Sequence, residues 1–106
     1  VLDANGAIAN NGTNIQLYQS NGGLSQKWIV KYQKDGYYQI TSTINDNYAL
    51  DVNGAIFNNS VNIQLWDKSN STAQKWYIKD DGNGYYKLIS YNQNQLYFYF
   101  QVFHLF

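Results

Sequence analysis

Cysteine, proline and glutamate are all missing from this 106-residue chain, and each absence removes a class of explanation. Without cysteine there is neither a disulfide framework nor thiol chemistry, and the redox compartment stays open. Without glutamate the acidic side chains are seven aspartates, balanced by seven Lys or Arg to a formal net charge of zero. Such a balance carries no electrostatic footprint for nucleic acid or an anionic membrane, so no nucleic-acid partner is expected. Apolar runs fall far short of the roughly 18 residues that a membrane span requires, and the start lacks a charged stretch followed by an apolar one. Neither membrane insertion nor a targeting signal is read here.

Catalysis fails on inventory. Glycoside hydrolysis usually needs two placed carboxyl groups, yet the aspartates are scattered, most of them in turn sequences such as Asp35-Gly36 and Asp80-Asp81-Gly82. The adjacent pair at 80 and 81 reads as a solvated loop pair. The one histidine, His104, stands alone near the C-terminus, so Ser/His triads and metal clusters lack parts. The chain reads as a non-enzyme with no cofactor and no metal site.

What the chain does have is a pattern stated twice, 48 residues apart. Leu2-Asp3-Ala4-Asn5-Gly6-Ala7-Ile8 returns as Leu50-Asp51-Val52-Asn53-Gly54-Ala55-Ile56, Asn14-Ile15-Gln16-Leu17-Tyr18 as Asn62-Ile63-Gln64-Leu65-Trp66, and Gln26-Lys27-Trp28 as Gln74-Lys75-Trp76. Laid on each other without a gap, residues 2–49 and 50–97 share 20 identities in 48 pairs. A unit of this length cannot bury its apolar face alone, so the fold must pack copies together and function should be sought once per copy. Asn and Gln make up 25 residues and aromatics another 18%, a bias that can mark prion-like disorder. The fixed, repeated positions of these residues argue for a folded chain instead.

No segment keeps a helical apolar stripe over three turns, whereas short alternating runs bounded by Asn-Gly and Asp-Gly recur. Strands are expected at 1–4, 14–18, 27–31, 36–41, 49–52, 62–67, 75–79 and 85–90, with Asn5-Gly6 and Asn53-Gly54 as two-residue hairpin turns. Alternation places Ile15 and Leu17 toward a core and Gln16 and Tyr18 away from it, and likewise Ile63 and Leu65 against Gln64 and Trp66. An outward aromatic beside a Gln suits a sugar, whose C–H face packs on the ring while its hydroxyls seek amides and carboxylates. Asp3 and Asp51 would accept from two such hydroxyls. The same spacing also fits a structural reading, in which the aromatic covers a neighbouring strand and the Asp caps the Asn-Gly turn. Trp28 and Trp76 read as core residues, sharing a face with Gln26 and Gln74, which can satisfy backbone groups where strands meet. Sequons at Asn11, Asn58 and Asn70 fit surface loops.

The ordered set Leu-Asp-x-x-Gly, Ile-Gln-Leu-aromatic and Gln-x-Trp, twice over, resembles the ricin B-type β-trefoil lectins, also called family-thirteen carbohydrate-binding modules. The resemblance runs from residue 1 to about 97. It implies an all-β, β-trefoil-like fold of about four short strands per repeat, and a non-catalytic module that binds galactosides or xylan and is commonly attached to a secreted glycosidase or toxin. It assigns one sugar site to Asp3, Gln16, Tyr18, Ser25 and Gln26, and a second to Asp51, Gln64, Trp66 and Gln74. Ser25 stands where the family often has Asn, and Ala73 stands there in the second copy. The implied partners are glycans (galactosides or xylo-oligosaccharides), and the implied location is extracellular.

A trefoil closes with three copies, about 144 residues at this period, against 106 here. The chain therefore divides into a first repeat at 1–49 that lacks its lead-in strand, a second at 50–97, and an aberrant start of a third at 98–106, all in one incomplete domain. It reads as cut from something larger. Phe98-Tyr99-Phe100 replaces an expected Leu-Asp-Val, which would leave an open aromatic edge prone to self-association. The rival from another class is a protein-interaction or structural trefoil with vestigial sugar sites.

Overall fold

The computed structural model describes residues 1–55, 61–82, 85–91 and 97–101. Nine strands follow one another: β1 (Leu2–Ala4), β2 (Ile15–Leu17), β3 (Trp28–Lys34), β4 (Tyr37–Ser42), β5 (Tyr48–Val52), β6 (Ile63–Asp67), β7 (Trp76–Gly82), β8 (Tyr85–Ser90) and β9 (Tyr97–Gln101). Between them lie four one-turn 3-10 segments, Asn5–Ala7, Leu24–Gln26, Asn53–Ala55 and Thr72–Gln74, and no longer helix occurs among the described residues. The eight strands expected from alternation are thus present, four per copy, in an all-β, β-trefoil-like arrangement.

The repeat is reproduced in register as well as in sequence. β1 pairs antiparallel with β2 through Leu2↔Leu17, Asp3↔Gln16 and Ala4↔Ile15. β5 and β6 repeat this 48 residues on, through Leu50↔Leu65, Asp51↔Gln64 and Val52↔Ile63. The second hairpin of each copy is likewise matched, Trp28↔Ser42 in β3–β4 and Trp76↔Ser90 in β7–β8. The copies join at β4, which pairs with β3, with β5 at Thr41↔Ala49 and with β7 at Tyr38↔Trp76.

Alternation sends one face of each strand inward. Trp28, Ile40, Leu50, Val52, Leu65, Trp76 and Leu88 form the buried core. Both tryptophans are core residues, as their Gln-x-Trp context suggests. Truncating a side chain of this size in such a position typically costs about 3–5 kcal/mol. The indole of Trp76 donates to the Leu50 carbonyl at 3.1 Å, whereas Trp28 Nε1 is buried without a partner among the described residues. An apolar cavity of about 420 Å³ opens where the two copies meet, walled by Leu2, Leu17, Ile63, Trp76 and Leu88. Neither Asp3 nor Asp51 lines it.

Four expectations need correction. The Asn-Gly pairs do not make two-residue hairpins: positive φ falls on Gly6 (72°) and Ala7 (54°), and on Gly54 (64°) and Ala55 (52°), within 3-10 segments. The partner strands start eight or more residues further on, so these turns begin a long connection. The two-residue hairpin is instead Asp35-Gly36, with φ of 53° and 85°, closing Lys34 onto Tyr37. Asp80 and Asp81 lie at the end of β7 rather than in a loop, with Asp80 accepting from Gly82 N at 2.8 Å.

The third and fourth corrections concern faces. Leu17 is 68% exposed although its counterpart Leu65 is fully buried. Residues 12–13 of the first copy cover β6, donating from Gly12 N to Leu65 O (2.9 Å) and accepting at Thr13 O from Leu65 N (2.8 Å). Among the described residues no copy covers β2 in that way. Gln64 lies on the outward face as expected, but it is buried there, for a reason that belongs to the site below.

β9 starts where the repeat places it and then departs from it. Its pair Ile89↔Tyr97 is Thr41↔Ala49 moved on by one period. β5 then leaves β4 for β6, but β9 stays on β8 for five pairs, through Tyr86↔Phe100 to Tyr85↔Gln101. By the precedent of Tyr38↔Trp76, that place opposite Tyr86 belongs to the next Gln-x-Trp strand. The remainder of the expected third segment, with His104, lies outside the described residues, as does the sequon at Asn58.

Candidate functional site

Each copy gathers its predicted residues around one aspartate. Antiparallel pairing puts Asp3 opposite Gln16, and Asp51 opposite Gln64, on the face turned away from the core. Two residues further along β6 on that face comes Trp66, and Tyr18 follows β2 in the same relation. The short 3-10 segment before each core tryptophan then brings Gln26 or Gln74 back over the strand pair.

In the first copy the Asp3 carboxylate accepts from Gln16 Nε2 at 3.2 Å on Oδ1, and from Ser25 Oγ at 3.2 Å and Gln26 Nε2 at 2.8 Å on Oδ2. In the second, Asp51 accepts from Gln64 Nε2 on Oδ1 and Gln74 Nε2 on Oδ2, both at 3.1 Å. The aspartate is therefore the hub of a side-chain network rather than a cap on the Asn-Gly turn. The bond to Asp51 does not by itself bury Gln64, since Gln16 makes the same bond and stays half-buried; the first copy's chain, bridged to β6 at Asn14↔Gln64, covers it. Gln26 and Gln74 do serve twice, because each also donates to a backbone carbonyl, Gln19 O or Asp67 O, at 2.8 Å. Each accepts in turn on Oε1, from Asn21 N at 2.8 Å and from Ser69 N at 2.9 Å.

The aromatic rings stand out of this network, Tyr18 at 56% exposure and Trp66 at 43%, while Asp3 and Asp51 keep 5% and 7%. In each copy an exposed ring thus stands beside a nearly buried carboxylate–amide network. A carboxylate offers about four acceptor positions. Among the described residues Asp3 spends three on protein donors and Asp51 two, Ala73 standing where Ser25 does. The loss of a hydroxyl in the second copy thus leaves its carboxylate with more capacity for an outside donor. Among the described residues the Oε1 atoms of Gln16 and Gln64 take no hydrogen bond, so each can accept one from a ligand. Among the described residues no group of three His, Cys, Asp or Glu could hold a metal ion.

The sequence profile of the ricin-type β-trefoil lectin domain-like family matches residues 1–66 and, in a second register, 24–98. This chain is a member of that family. Ricin-type lectin-like domains are non-catalytic carbohydrate-binding folds, and the network above is built on the residues that repeat in this one. A search of curated proteins finds no match. Among solved structures, a designed three-fold symmetric protein, ThreeFoil, superposes with a TM-score of 0.80 at 33% identity, over 87% of this chain and 65% of its own. An exo-β-1,3-galactanase from Clostridium thermocellum gives 0.78 at 29% identity, over 84% of this chain and 19% of its own. A mosquitocidal holotoxin gives 0.77 at 24% identity, over 91% and 12%, a likeness of fold alone. The lectin-like domain spans less than two thirds of each, and close to two of the three symmetric units of the designed protein.

Two residues outside the sequence prediction reach the second site. Gln39 Nε2 donates to Gln74 Oε1 at 3.1 Å, and Asn11 Nδ2 donates to Asp67 Oδ2 at 3.0 Å. Both come from the first copy. Periodicity within a copy cannot reveal a bond between copies. Asn11 is at least one of the identities, matched by Asn59, whereas Gln39 has Lys87 as its counterpart and carries no signal.

Proposed function

We infer that this domain binds glycans reversibly through two shallow sites, one per copy, and that galactosides or xylo-oligosaccharides are its ligand class. The observation that carries the reading is the pairing, in both copies, of an exposed ring with a carboxylate fixed by two glutamine amides. The ring packs against the C–H face of a pyranose, while the remaining acceptor positions of the carboxylate and the free Gln Oε1 take its hydroxyls. The galactanase likeness favours a galactose-containing glycan. One ring and three or four hydrogen bonds on an open surface correspond to a dissociation constant on the order of 0.01–10 mM per site. Affinity of that size serves targeting, where two sites engage repeated sugars together. A role in holding an attached enzyme or toxin to extracellular glycans follows from such avidity.

One observation favours a different reading. The carboxylates are almost buried and already bonded, as they would be in a structural trefoil whose surface aromatics dock a protein partner. Thermal unfolding with tens of millimolar galactose, lactose or xylotriose separates the two, because a ligand that binds only the folded state raises the midpoint. At ten times the dissociation constant the gain is about 1.4 kcal/mol, or roughly 5–10 °C for a domain of this size. A cooperative transition that no sugar moves would leave the partner-docking reading. Trp66→Ala is the cleaner companion variant, since its ring is exposed. Asp51→Ala strands two buried amide donors and so reads on stability as well.

A further inference from the structure

The geometry points to Gln39 and Asn11, both in the first copy, as positioning residues for the second copy's sugar site, which makes that site a product of two repeats. The inference deepens the sugar-binding reading above and rests on it. Gln74 makes every bond its amide can direct inward. Its Oε1 accepts from Ser69 N at 2.9 Å and Gln39 Nε2 at 3.1 Å, and its Nε2 donates to Asp67 O at 2.8 Å and Asp51 Oδ2 at 3.1 Å. Two donors on the oxygen leave only one orientation of the amide, with its NH2 on Asp51. Gln39 holds its own place by a second bond, from Nε2 to Ser69 O at 3.0 Å.

Asn11 works from the other side. Its Nδ2 donates to Asp67 Oδ2 at 3.0 Å and its Oδ1 accepts from Asp67 N at 2.7 Å. Asp67 follows Trp66 directly. With Gly12 and Thr13 already paired to Leu65, the backbone on both sides of the Trp66 ring is fastened to the first copy.

The first site has no such bracing among the described residues. Gln26 Oε1 accepts only from Asn21 N, and Gln19, which replaces Asp67, receives no side-chain clamp. Tyr18 is tied by its backbone to Val1 alone, accepting at 2.7 Å and donating at 2.9 Å. Two sites of the same residue pattern therefore differ in how much order exists before a ligand arrives, and a pre-ordered site binds more tightly because less freedom is lost.

The test is a site-resolved nuclear magnetic resonance titration of the whole chain with lactose and with xylotriose. Signals are followed at the Trp66 indole and the Gln64 side-chain amide for the second site, and at the Gln16 side-chain amide and the Tyr18 backbone amide for the first. Gln39→Glu keeps the size of the side chain but turns an acceptor toward Gln74 Oε1. It is expected to weaken the second site about three- to tenfold, the equivalent of one hydrogen bond, and to leave the first unchanged. Gln39→Lys restores a donor, the residue type the second copy carries at Lys87, and is expected to recover the affinity. Asn11→Ala is expected to act in the same direction as Gln39→Glu. Equal weakening of both sites by Gln39→Glu, or no weakening of the second, would overturn the assignment. A parent chain that answers no sugar would sink the binding reading and this role with it. The Gln74 side-chain amide, observed without sugar, tells the cases apart: if Gln39→Glu leaves its shift and exchange untouched, the bracing itself is wrong.

Discussion

At the scale of the residue, one buried carboxylate per copy sets the roles of its neighbours. Asp51 is acceptor to the Gln64 and Gln74 amides, so Asp51→Asn keeps one acceptor and turns a donor toward the other amide. We expect it to lower stability by about 1–3 kcal/mol in urea unfolding, at unchanged m-value. The two core tryptophans should separate in the same assay. Trp76→Phe deprives the buried Leu50 carbonyl of a donor, whereas Trp28→Phe removes a donor that is already unpaired. Trp76→Phe is therefore expected to be the costlier by about 1 kcal/mol or more, and equal losses would contradict the pairing. The sequence made the hub residues legible because they recur at fixed spacing. It could not show that Asp3 and Asp51 are bound by their own glutamines, since burial of a polar side chain leaves no mark on periodicity. Leu17 was misread for the opposite reason: alternation assigns a face, but only a neighbouring copy decides whether that face is covered.

At the scale of the element, β4 is the strand on which the copies are joined, and its hairpin depends on Asp35-Gly36. Gly36 sits at φ 85°, with room for a Cβ that would lie 3.7 Å from the Tyr77 ring. Gly36→Ala is thus a test of backbone conformation rather than of space, and we expect a loss of about 1–2 kcal/mol in thermal unfolding without change in sugar affinity. Beside the hairpin, Lys75 Nζ lies 4.8 Å from the centre of the Tyr37 ring and 5.3 Å from that of Tyr91. The Tyr37 and Tyr91 rings meet edge-on at 5.2 Å, so the lysine closes a seam between the hairpins of the two copies. Lys75→Met keeps the stem and removes the charge, at an expected cost of about 0.5–1 kcal/mol. Strand positions were readable because alternation has a period of two wherever one face is buried. Turn type was not, because Asn-Gly and Asp-Gly are equally able to adopt positive φ and only the separation of the partner strands chooses between a tight hairpin and the start of a longer connection.

At the scale of the whole molecule, the two proposed sites, one on the two-stranded β1–β2 sheet and one on the seven-stranded sheet, make valency the property to measure. Calorimetric titration with a monosaccharide is expected to give two sites per chain, and Trp66→Ala to leave one; a parent stoichiometry of one would identify the unbraced first site as silent. The repeat itself was the most legible feature of the sequence, since 20 identities at one fixed offset admit no other organisation. The fate of the third copy was not legible, because β9 starts at the repeat's position at Tyr97 and then leaves its path, with none of its motif residues. The layout of the sheet also orders the molecule in time. β4 has partners on β3, β5 and β7, while β9 is an outer strand held by β8 alone. When the chain breathes, β9 can open without disturbing any other pairing, but β4 cannot be released until three neighbours have let go. Its amides should accordingly be the last to take up deuterium, and β9 the first strand of the larger sheet to do so.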